Sequence, residues 1–285
     1  MHENAGGLAA DSSDAMPYQI DAPIRSHARV GEFEYEMRLH APAVAREAAP
    51  GQFVQVRYGD LSSPFCRRPF SIFHTDRESG EFTIAYLVRG GFTAGMRGLA
   101  EGQMLSVVGP LGNRLVADPR PDLVHVLVAG GVGAPPLYFL AREMLATGTP
   151  PDAIRVINGA RSREHIVARR EFAALGVPVT TTTDDGSEGR KGIVTHALRD
   201  LLPVLGSRGR VATCGPTDMM RAVAGICREH DVPCTVSVET VMPCGLGVCM
   251  GCVVKRRDPS TPEGFAYVRA CHEGPVFDAG EVIWD

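Results

Sequence analysis

Four of the eight cysteines lie close together near the carboxyl end of the chain. They are Cys244, Cys249, Cys252 and Cys271, in the spacing C-x4-C-x2-C, with eighteen residues before the fourth. Thiolates are ligands for soft metals, and four thiols in so short a stretch are improbable as buried free cysteines. The surrounding segment is glycine-rich and too short for a core of its own. We therefore expect a metal centre to hold it together.

The spacing of these cysteines favours one kind of metal centre. C-x4-C-x2-C with a distant fourth cysteine is typical of a plant-type 2Fe–2S cluster. Structural zinc also takes four thiolates, but usually from two C-x2-C pairs, and this chain has only one. The sequence predicts a 2Fe–2S cluster, and a zinc-stabilised binding module without redox activity is the alternative from another functional class.

Two earlier segments carry groups that could bind a nucleotide cofactor. In Arg67-Arg68-Pro69-Phe70-Ser71, a guanidinium can pair with a diphosphate, an aromatic ring can stack on a ring system, and a hydroxyl can bond a ring nitrogen. Gly90-Gly91-Phe92-Thr93 can bind phosphate through N–H groups and a hydroxyl. Taken alone, an Arg-Pro turn and a hairpin turn explain these segments better.

Two further segments fall where parallel strands are expected to end. Gly130, Gly131 and Gly133 follow a buried apolar run and precede a helix, so backbone could approach a pyrophosphate there, although the pattern is not G-x-G-x-x-G. Cys214-Gly215 follows a later strand, at the edge where ligands of such sheets bind. A tight turn with a buried thiol explains Cys214 equally well.

The residue pattern divides the chain into zones that would position these groups. We expect a disordered acidic leader over 1–16, an antiparallel β-barrel over 17–118, a doubly wound parallel α/β sheet over 119–239 and a small cysteine-rich module over 240–285. The α/β zone shows five apolar runs alternating with four helical patterns, one of them at Glu164–Leu175.

Composition excludes several classes of protein. The net charge is −4 and the pI is near 6.1, so the chain has no excess of basic residues that would indicate binding to nucleic acid. The apolar stretch Leu123–Ala141 contains too many glycines and prolines for a membrane span and predicts a strand, a glycine turn and a helix. No secretory signal is evident, so we expect a cytoplasmic protein whose thiols are reduced or bound to a metal. We expect three of the other cysteines, Cys66, Cys227 and Cys234, to be core residues.

The order of these motifs resembles the ferredoxin-reductase family, in which an FAD-binding barrel precedes a nicotinamide-binding domain. The resemblance implies two sets of cofactor-binding residues. The FAD set is Arg68, Pro69, Phe70, Ser71, Leu87, Val88, Gly90 and Thr93, and the nicotinamide set is Gly130, Gly131, Gly133, Cys214 and Gly215, with Cys214 beside the reacting ring. Phe92 and the second proline, Pro136, depart from the family pattern.

The cysteine tail narrows the resemblance to the electron-transfer subunits of type B dihydroorotate dehydrogenases. Pro50-Gly51-Gln52-Phe53, Gly109-Pro110-Leu111-Gly112, Thr183-Asp184-Asp185-Gly186 and the run Cys271–Phe277 carry it. It implies that electrons pass between the FMN of a dihydroorotate-oxidising catalytic subunit and NAD, through a 2Fe–2S cluster and FAD. It also implies a heterotetramer with two copies of each subunit, acting in de novo pyrimidine (UMP) biosynthesis.

A close alternative is the FAD and iron–sulfur subunit of another complex, such as a sulfide dehydrogenase or a ferredoxin:NADP oxidoreductase. Those relatives often have Asp at the first cluster ligand, so Cys244 favours the dihydroorotate interpretation. Two arginines, Arg161 and Arg163, could bind the adenosine phosphate of NADP. Alternatively, they are solvated side chains at the start of a helix. The family resemblance points to NAD. Asp184 and Asp185 are not expected to be an acid–base pair. They could bond a ribose or be solvated, and we favour solvated side chains.

Overall fold

The computed structural model describes residues 16–59 and 66–284. The expected leader falls almost entirely on residues 1–15, which lie outside the described part of the chain. No helix within that part is both long and apolar enough to cross a membrane. The stretch Leu123–Ala141 is a strand, a short 3-10 turn and the start of a helix, as its glycines and prolines predicted.

A closed six-stranded antiparallel barrel comes first. Its strands are β1 (Tyr18–Arg29), β2 (Glu34–His40), β3 (Phe53–Arg57), β4 (Arg68–Asp76), β5 (Glu81–Leu87) and β6 (Met104–Leu111), in the order β1-β2-β5-β4-β3-β6, with short helices α1 (Pro42–Glu47) and α2 (Gly91–Met96) in the connections. Side chains alternate along each strand, so one set fills the barrel with residues such as Met37, Ile84 and Val107, all fully buried. Closure pairs every strand on both edges.

A seven-stranded sheet follows the barrel. Its elements are β7 (Val124–Gly130), α3 (Ala134–Ala146), β8 (Ile154–Ala160), α4 (Arg169–Ala174), β9 (Val179–Thr183), β10 (Arg190–Lys191), α5 (Val194–Leu205), β11 (Gly209–Cys214), α6 (Thr217–Glu229) and β12 (Cys234–Ser237). The strand order is β10-β9-β8-β7-β11-β12-β15, where β15 is Val276–Asp278 from the end of the chain. The barrel and this sheet confirm the predicted fold class.

Helices cover both faces of this sheet. Val126 and Val128 pack towards α5 and α6, whereas Leu127 and Ala129 pack towards α3 and α4. This alternation explains why the strands read as unbroken apolar runs, since both faces are buried.

Two expectations for the sheet need correction. It has seven strands rather than five, because the two-residue β10 and the antiparallel β15 extend its edges. The helix expected at Glu164–Leu175 is a 3-10 turn at Arg163–His165 followed by the short α4. Between them, Ala168 has a φ of 58°, and its N–H donates to the carboxylate of Glu34 at 2.9 Å, so a contact with the barrel replaces helical continuation.

The last segment has little core of its own. It forms a three-stranded sheet of β13 (Val253–Arg257), β14 (Phe265–Arg269) and β16 (Val282–Ile283), and contributes β15 to the large sheet. Its apolar residues, such as Val268 and Phe277, join one core with barrel residue Phe53 and strand residue Val236. Asn113, 3% exposed, donates to the Val276 carbonyl and accepts from its N–H, both at 2.8 Å. Barrel, sheet and tail are therefore packed as one body.

Candidate functional site

The four cluster cysteines come together at one end of the molecule. Cys244 and Cys249 lie in the loop 238–252, called the cluster loop below; Cys252 ends it, and Cys271 follows β14. Cys249 is exposed, Cys244 half-buried, and Cys252 and Cys271 are buried.

Backbone N–H groups point at all four sulfurs. Leu246 donates to Cys244 Sγ at 3.4 Å and Gly247 to Cys271 Sγ at 3.2 Å. Gly251 donates to Cys249 Sγ and Cys271 to Cys252 Sγ, both at 3.4 Å. Gly247, with a φ of 76°, adopts a conformation that residues with a Cβ avoid, which explains the glycine at this position. N–H groups aimed at sulfur stabilise thiolates, so the loop has the chemistry that thiolate ligands need.

The thiols are arranged as two pairs. Cys244 and Cys249 are neighbours that influence each other's titration, and so are Cys252 and Cys271. Burial alone would raise the pKa of Cys244, but the N–H groups of Leu246, Cys249 and Val248 outweigh it and lower that pKa to about 6. Burial and the neighbouring Cys252 raise the pKa of Cys271.

Pairs of thiols fit a two-iron centre. Tetrahedral zinc needs all four ligands around one point, whereas each iron of a 2Fe–2S cluster takes two of the four cysteines. The pairing of the four thiols is the arrangement that a 2Fe–2S cluster uses.

A cavity of about 540 Å³ lies where the barrel meets the sheet and the cluster loop. Seven of the eight residues expected around FAD line it: Arg68, Pro69, Phe70, Ser71, Leu87, Gly90 and Thr93. Strand pairing explains this convergence, because the start of β4 runs beside β3, with Ser71 opposite Phe53, and β5 ends next to them. Val88, the eighth, lines the neighbouring cavity instead.

Two residues of the FAD set have local roles that the sequence did not show. The Thr93 hydroxyl accepts the N–H groups of Arg89 and Gly90, at 3.0 and 3.3 Å, and so closes the turn before α2. The guanidinium of Arg68 lies 5.3 Å from the ring centre of Phe92. Phe92, which departs from the family pattern, is thus part of the wall and contacts Phe70 at 6.1 Å between ring centres.

A second cavity, of about 850 Å³, opens at the carboxyl ends of the parallel strands. Gly130 and Gly131 line it, with Gly159 and Asp184 from the next two strands and Met219 from α6. This is where ligands of parallel α/β sheets bind. Gly133 and Gly215 lie beneath it: a Cβ on Gly133 would come 2.2 Å from the carbonyl oxygen of Cys214, so this glycine allows close backbone packing.

Cys214 is buried at the end of β11 and lines the first cavity rather than the second. Burial raises the pKa of its thiol well above the usual value. The group is therefore neutral at physiological pH and is suited to contacting an apolar ring rather than acting as a nucleophile.

Three residues form the boundary between the cavities, and two of them, Arg89 and Glu239, were not singled out from the sequence. Leu87, which the sequence assigned only to the flavin set, Arg89 and Glu239 line both of them. Glu239 is open to the cavities, yet the surrounding protein desolvates its carboxyl and raises its pKa, which Arg89 partly opposes. Its position after the last parallel strand is the signal that could have identified it.

Of the other charged residues named in the sequence analysis, some line the second cavity and others make contacts at the surface. Arg161 and Asp184 line the second cavity, whereas Arg163 pairs with Glu188 at 3.4 Å. The Asp185 carboxylate accepts the N–H and hydroxyl of Ser187, which lowers its pKa. Asp184 and Asp185 thus do not act as a pair.

Of the remaining cysteines, Cys227 and Cys234 are buried as expected, but Cys66 is only half-buried.

Comparison with protein families matches two parts of the chain. Residues 239–283 match the iron–sulfur cluster binding domain of dihydroorotate dehydrogenase B, and residues 127–225 match an oxidoreductase NAD-binding domain. A dihydroorotate dehydrogenase B (NAD(+)) electron transfer subunit of Desulforamulus reducens is 35% identical over 95% of this chain and 100% of its own length. The chain belongs to this family of electron transfer subunits. The corresponding subunit of Bacillus cereus is also 35% identical, over 87% of this chain and 92% of its own.

Solved structures agree with the family. A chain of the NADH-dependent reduced ferredoxin-NADP oxidoreductase is similar, with a TM-score of 0.78, 32% identity, and coverage of 93% of this chain and 91% of that one. A cytochrome b5 reductase domain of Ulva prolifera nitrate reductase shares the fold, with a TM-score of 0.62 and 17% identity over 75% of this chain and 93% of its own. These findings confirm the expected oxidoreductase class and the cofactor set of FAD, 2Fe–2S and NAD. The ferredoxin-NADP enzyme fits the alternative function only as a related fold.

Proposed function

We propose that this electron transfer subunit connects a dihydroorotate-oxidising, FMN-containing catalytic subunit to NAD, in a cytoplasmic complex of pyrimidine biosynthesis. The observation that carries the proposal is the succession of sites in one body. The nucleotide cavity and the flavin cavity share the wall formed by Leu87, Arg89 and Glu239. Met242, from the cluster loop, lines the flavin cavity two residues before Cys244.

The residues of the chain fit the groups that such a route needs. When bound, FAD supplies the exchange between hydride transfer and single-electron transfer. Arg68 and Phe70 would bind it along β4, and the neutral Cys214 thiol would pack against it without reacting. Gly130 and Gly131 would let the nicotinamide nucleotide approach the ends of β7 and β8, and the four thiolates would hold the cluster.

The catalytic partner would dock around the cluster loop. Four apolar side chains there are exposed: Val241 by 75%, Leu246 by 48%, Val248 by 80% and Met250 by 50%. Apolar side chains grouped on a surface mark interaction sites. Val248 and Met250 flank the exposed Cys249 in the chain, so a partner bound here would lie close to the cluster.

The remaining parts of the proposal rest on composition and on the family. None of the eight cysteines, all in the described part of the chain, forms a disulfide, which fits a reducing cytoplasm. An assembly with two copies of each subunit remains a prediction, which the mass of the purified complex from light scattering would test.

Co-expression with the catalytic subunit tests the function. Together, the two chains should reduce NAD with dihydroorotate, whereas the electron transfer subunit alone should reduce only artificial acceptors with NADH. Dihydroorotate oxidation by the isolated chain, or a colourless protein containing zinc, would contradict the proposal.

A matched pair of variants tests the docking surface. We expect Val248→Glu to weaken binding of the catalytic subunit by about tenfold or more, since a buried unpaired charge is costly at an interface. Val204→Glu, at a side chain 74% exposed on α5, should bind normally. Both variants should keep wild-type NADH oxidation by the isolated subunit. Equal binding by the two variants would place the interface elsewhere.

A further inference from the structure

Gln55 lies in the barrel strand next to the flavin cavity but faces the cluster loop. It is fully buried in the middle of β3, directly opposite Pro69 of β4. Pro69 lines the flavin cavity. The segment of the cluster loop from Met242 to Gly245 covers the Gln55 side chain.

Two contacts join Gln55 to this part of the loop. Its Nε2 donates to the Met242 carbonyl at 2.6 Å, inside the protein. Gly245 packs on the side chain so closely that a Cβ there would lie 2.5 Å from Gln55 Cγ. Cys244, the first cluster cysteine, is therefore held between two residues that Gln55 contacts.

The carbonyl oxygen of the Gln55 carboxamide makes no hydrogen bond within the described part of the chain that would offset the cost of its burial. Gln55 Oε1 is buried and has no hydrogen-bond partner among the described residues. A buried polar atom without a partner lowers stability, so a leucine of similar shape would suit the barrel better. What the amide provides is the bond to the Met242 carbonyl, which leucine cannot make.

We propose that Gln55 is a positioning residue that fixes the cluster loop, and with it Cys244, against the wall of the flavin cavity. The same residue spans the barrel and the loop, so it sets how rigidly the cluster is held relative to the flavin. This inference rests on the proposed binding of FAD and the cluster to this chain.

The test uses the anaerobically purified holoprotein with Gln55→Leu. We expect wild-type flavin and iron content and an unchanged rate of flavin reduction by NADH. Iron should be released to a ferrous chelator about five- to tenfold faster, as the loss of one buried hydrogen bond predicts. The electron paramagnetic resonance spectrum of the reduced cluster should broaden, because the loop samples more conformations.

Gln52→Leu is the matched control. Gln52, the residue before β3, is also buried, 1% exposed, but its amide donates to Gly112 at 2.8 Å and accepts from the N–H of Ala49, so neither bond involves the cluster loop. Iron release and the spectrum of this variant should match those of the wild type even if its melting temperature falls. If both variants release iron at the same rate, Gln55 has no positioning role.

A double-mutant cycle tests the contact with Gly245 separately, and its Gly245→Ala single variant keeps Gln55 intact. Gly245→Ala should accelerate iron release in the wild type, because Gly245 has a φ of 72°, which residues with a Cβ avoid, and because the new Cβ meets Gln55 Cγ. In Gln55→Ala, which lacks Cγ, the same change should have a smaller effect. Strictly additive effects would overturn the proposal. Absence of flavin and iron from the wild-type protein would instead overturn the proposed function, so the two failures are distinguishable.

Discussion

The four cluster cysteines have different surroundings although they serve one centre. Cys252 and Cys271 are buried beneath the loop, while Cys249 reaches the surface. The cluster loop lines the flavin cavity with Val238, Glu239, Thr240 and Met242, but none of the four cluster cysteines lines it. Loss of one site need not disturb the other.

Cys249→Ser should remove the 2Fe–2S cluster and leave FAD bound. Serine is a poor ligand for iron in place of a thiolate, and residue 249 does not line the flavin cavity. Absorbance spectra and iron analysis would show flavin bands without the broad iron–sulfur absorption. Cys66→Ser, at a half-buried thiol outside the cluster loop, should keep both. Simultaneous loss of FAD would show that the two sites depend on each other.

Elements from the barrel and the sheet meet at a buried carboxylate. Glu34 of β2 is 6% exposed, and its contact with Ala168 fixes the start of α4. Burial raises the pKa of Glu34 to about 7, partly opposed by the hydrogen bond from Ala168, and burial likewise raises that of its neighbour Glu36 to about 7. The folded protein therefore binds protons more tightly at this junction than the unfolded chain does.

This junction predicts a pH dependence of stability. Since the folded pKa lies above the unfolded value of 4.5, the contribution of Glu34 is fully present below pH 4.5 and is lost as the pH rises through 7. Glu34→Gln, which keeps an acceptor for Ala168, should flatten the pH dependence of unfolding between these values. The expected change is on the order of 2–3 kcal/mol. Urea unfolding at several pH values would measure it, with the exposed Glu78→Gln as the control. An unchanged profile would show that Glu34 is ionised in the folded protein.

The wall between the two cavities is formed by residues from more than one domain. Leu87 and Arg89 come from the end of the barrel, and Glu239 from the end of the last parallel strand, so the boundary between the cavities exists only when these units are packed together. Groups at this boundary would touch both the nicotinamide and the flavin.

Glu239→Ala should therefore slow flavin reduction by NADH, by about tenfold if one hydrogen bond to the bound nucleotide is lost. FAD content and the spectrum of the cluster should not change, because Glu239 is not a cluster ligand and most of the flavin cavity remains. Stopped-flow absorbance would give the rate. Glu281→Ala, at an exposed carboxylate in the turn before β16, should behave as wild type. Equal rates in all three proteins would remove Glu239 from the site.

Local patterns were enough to predict much of this protein. Cysteine spacing is a property of neighbouring residues, and it indicated the cluster. Alternating and continuous apolar runs reflect how many faces of a strand are buried, and they indicated the barrel and the sheet. The helix predicted at Glu164–Leu175 is interrupted because Glu34, 134 residues from Ala168 in sequence, binds the backbone there.

Contacts between distant segments decided the rest. The shared wall at Glu239, the pairing of β15 with β12 and the burial of Gln55 under the cluster loop each join segments that no local pattern relates. Sequence by itself determined which chemistry the residues can perform, because ligand type and spacing are local. Only the tertiary structure decided which residues separate the cavities and hold the cluster loop, because those roles depend on packing in three dimensions.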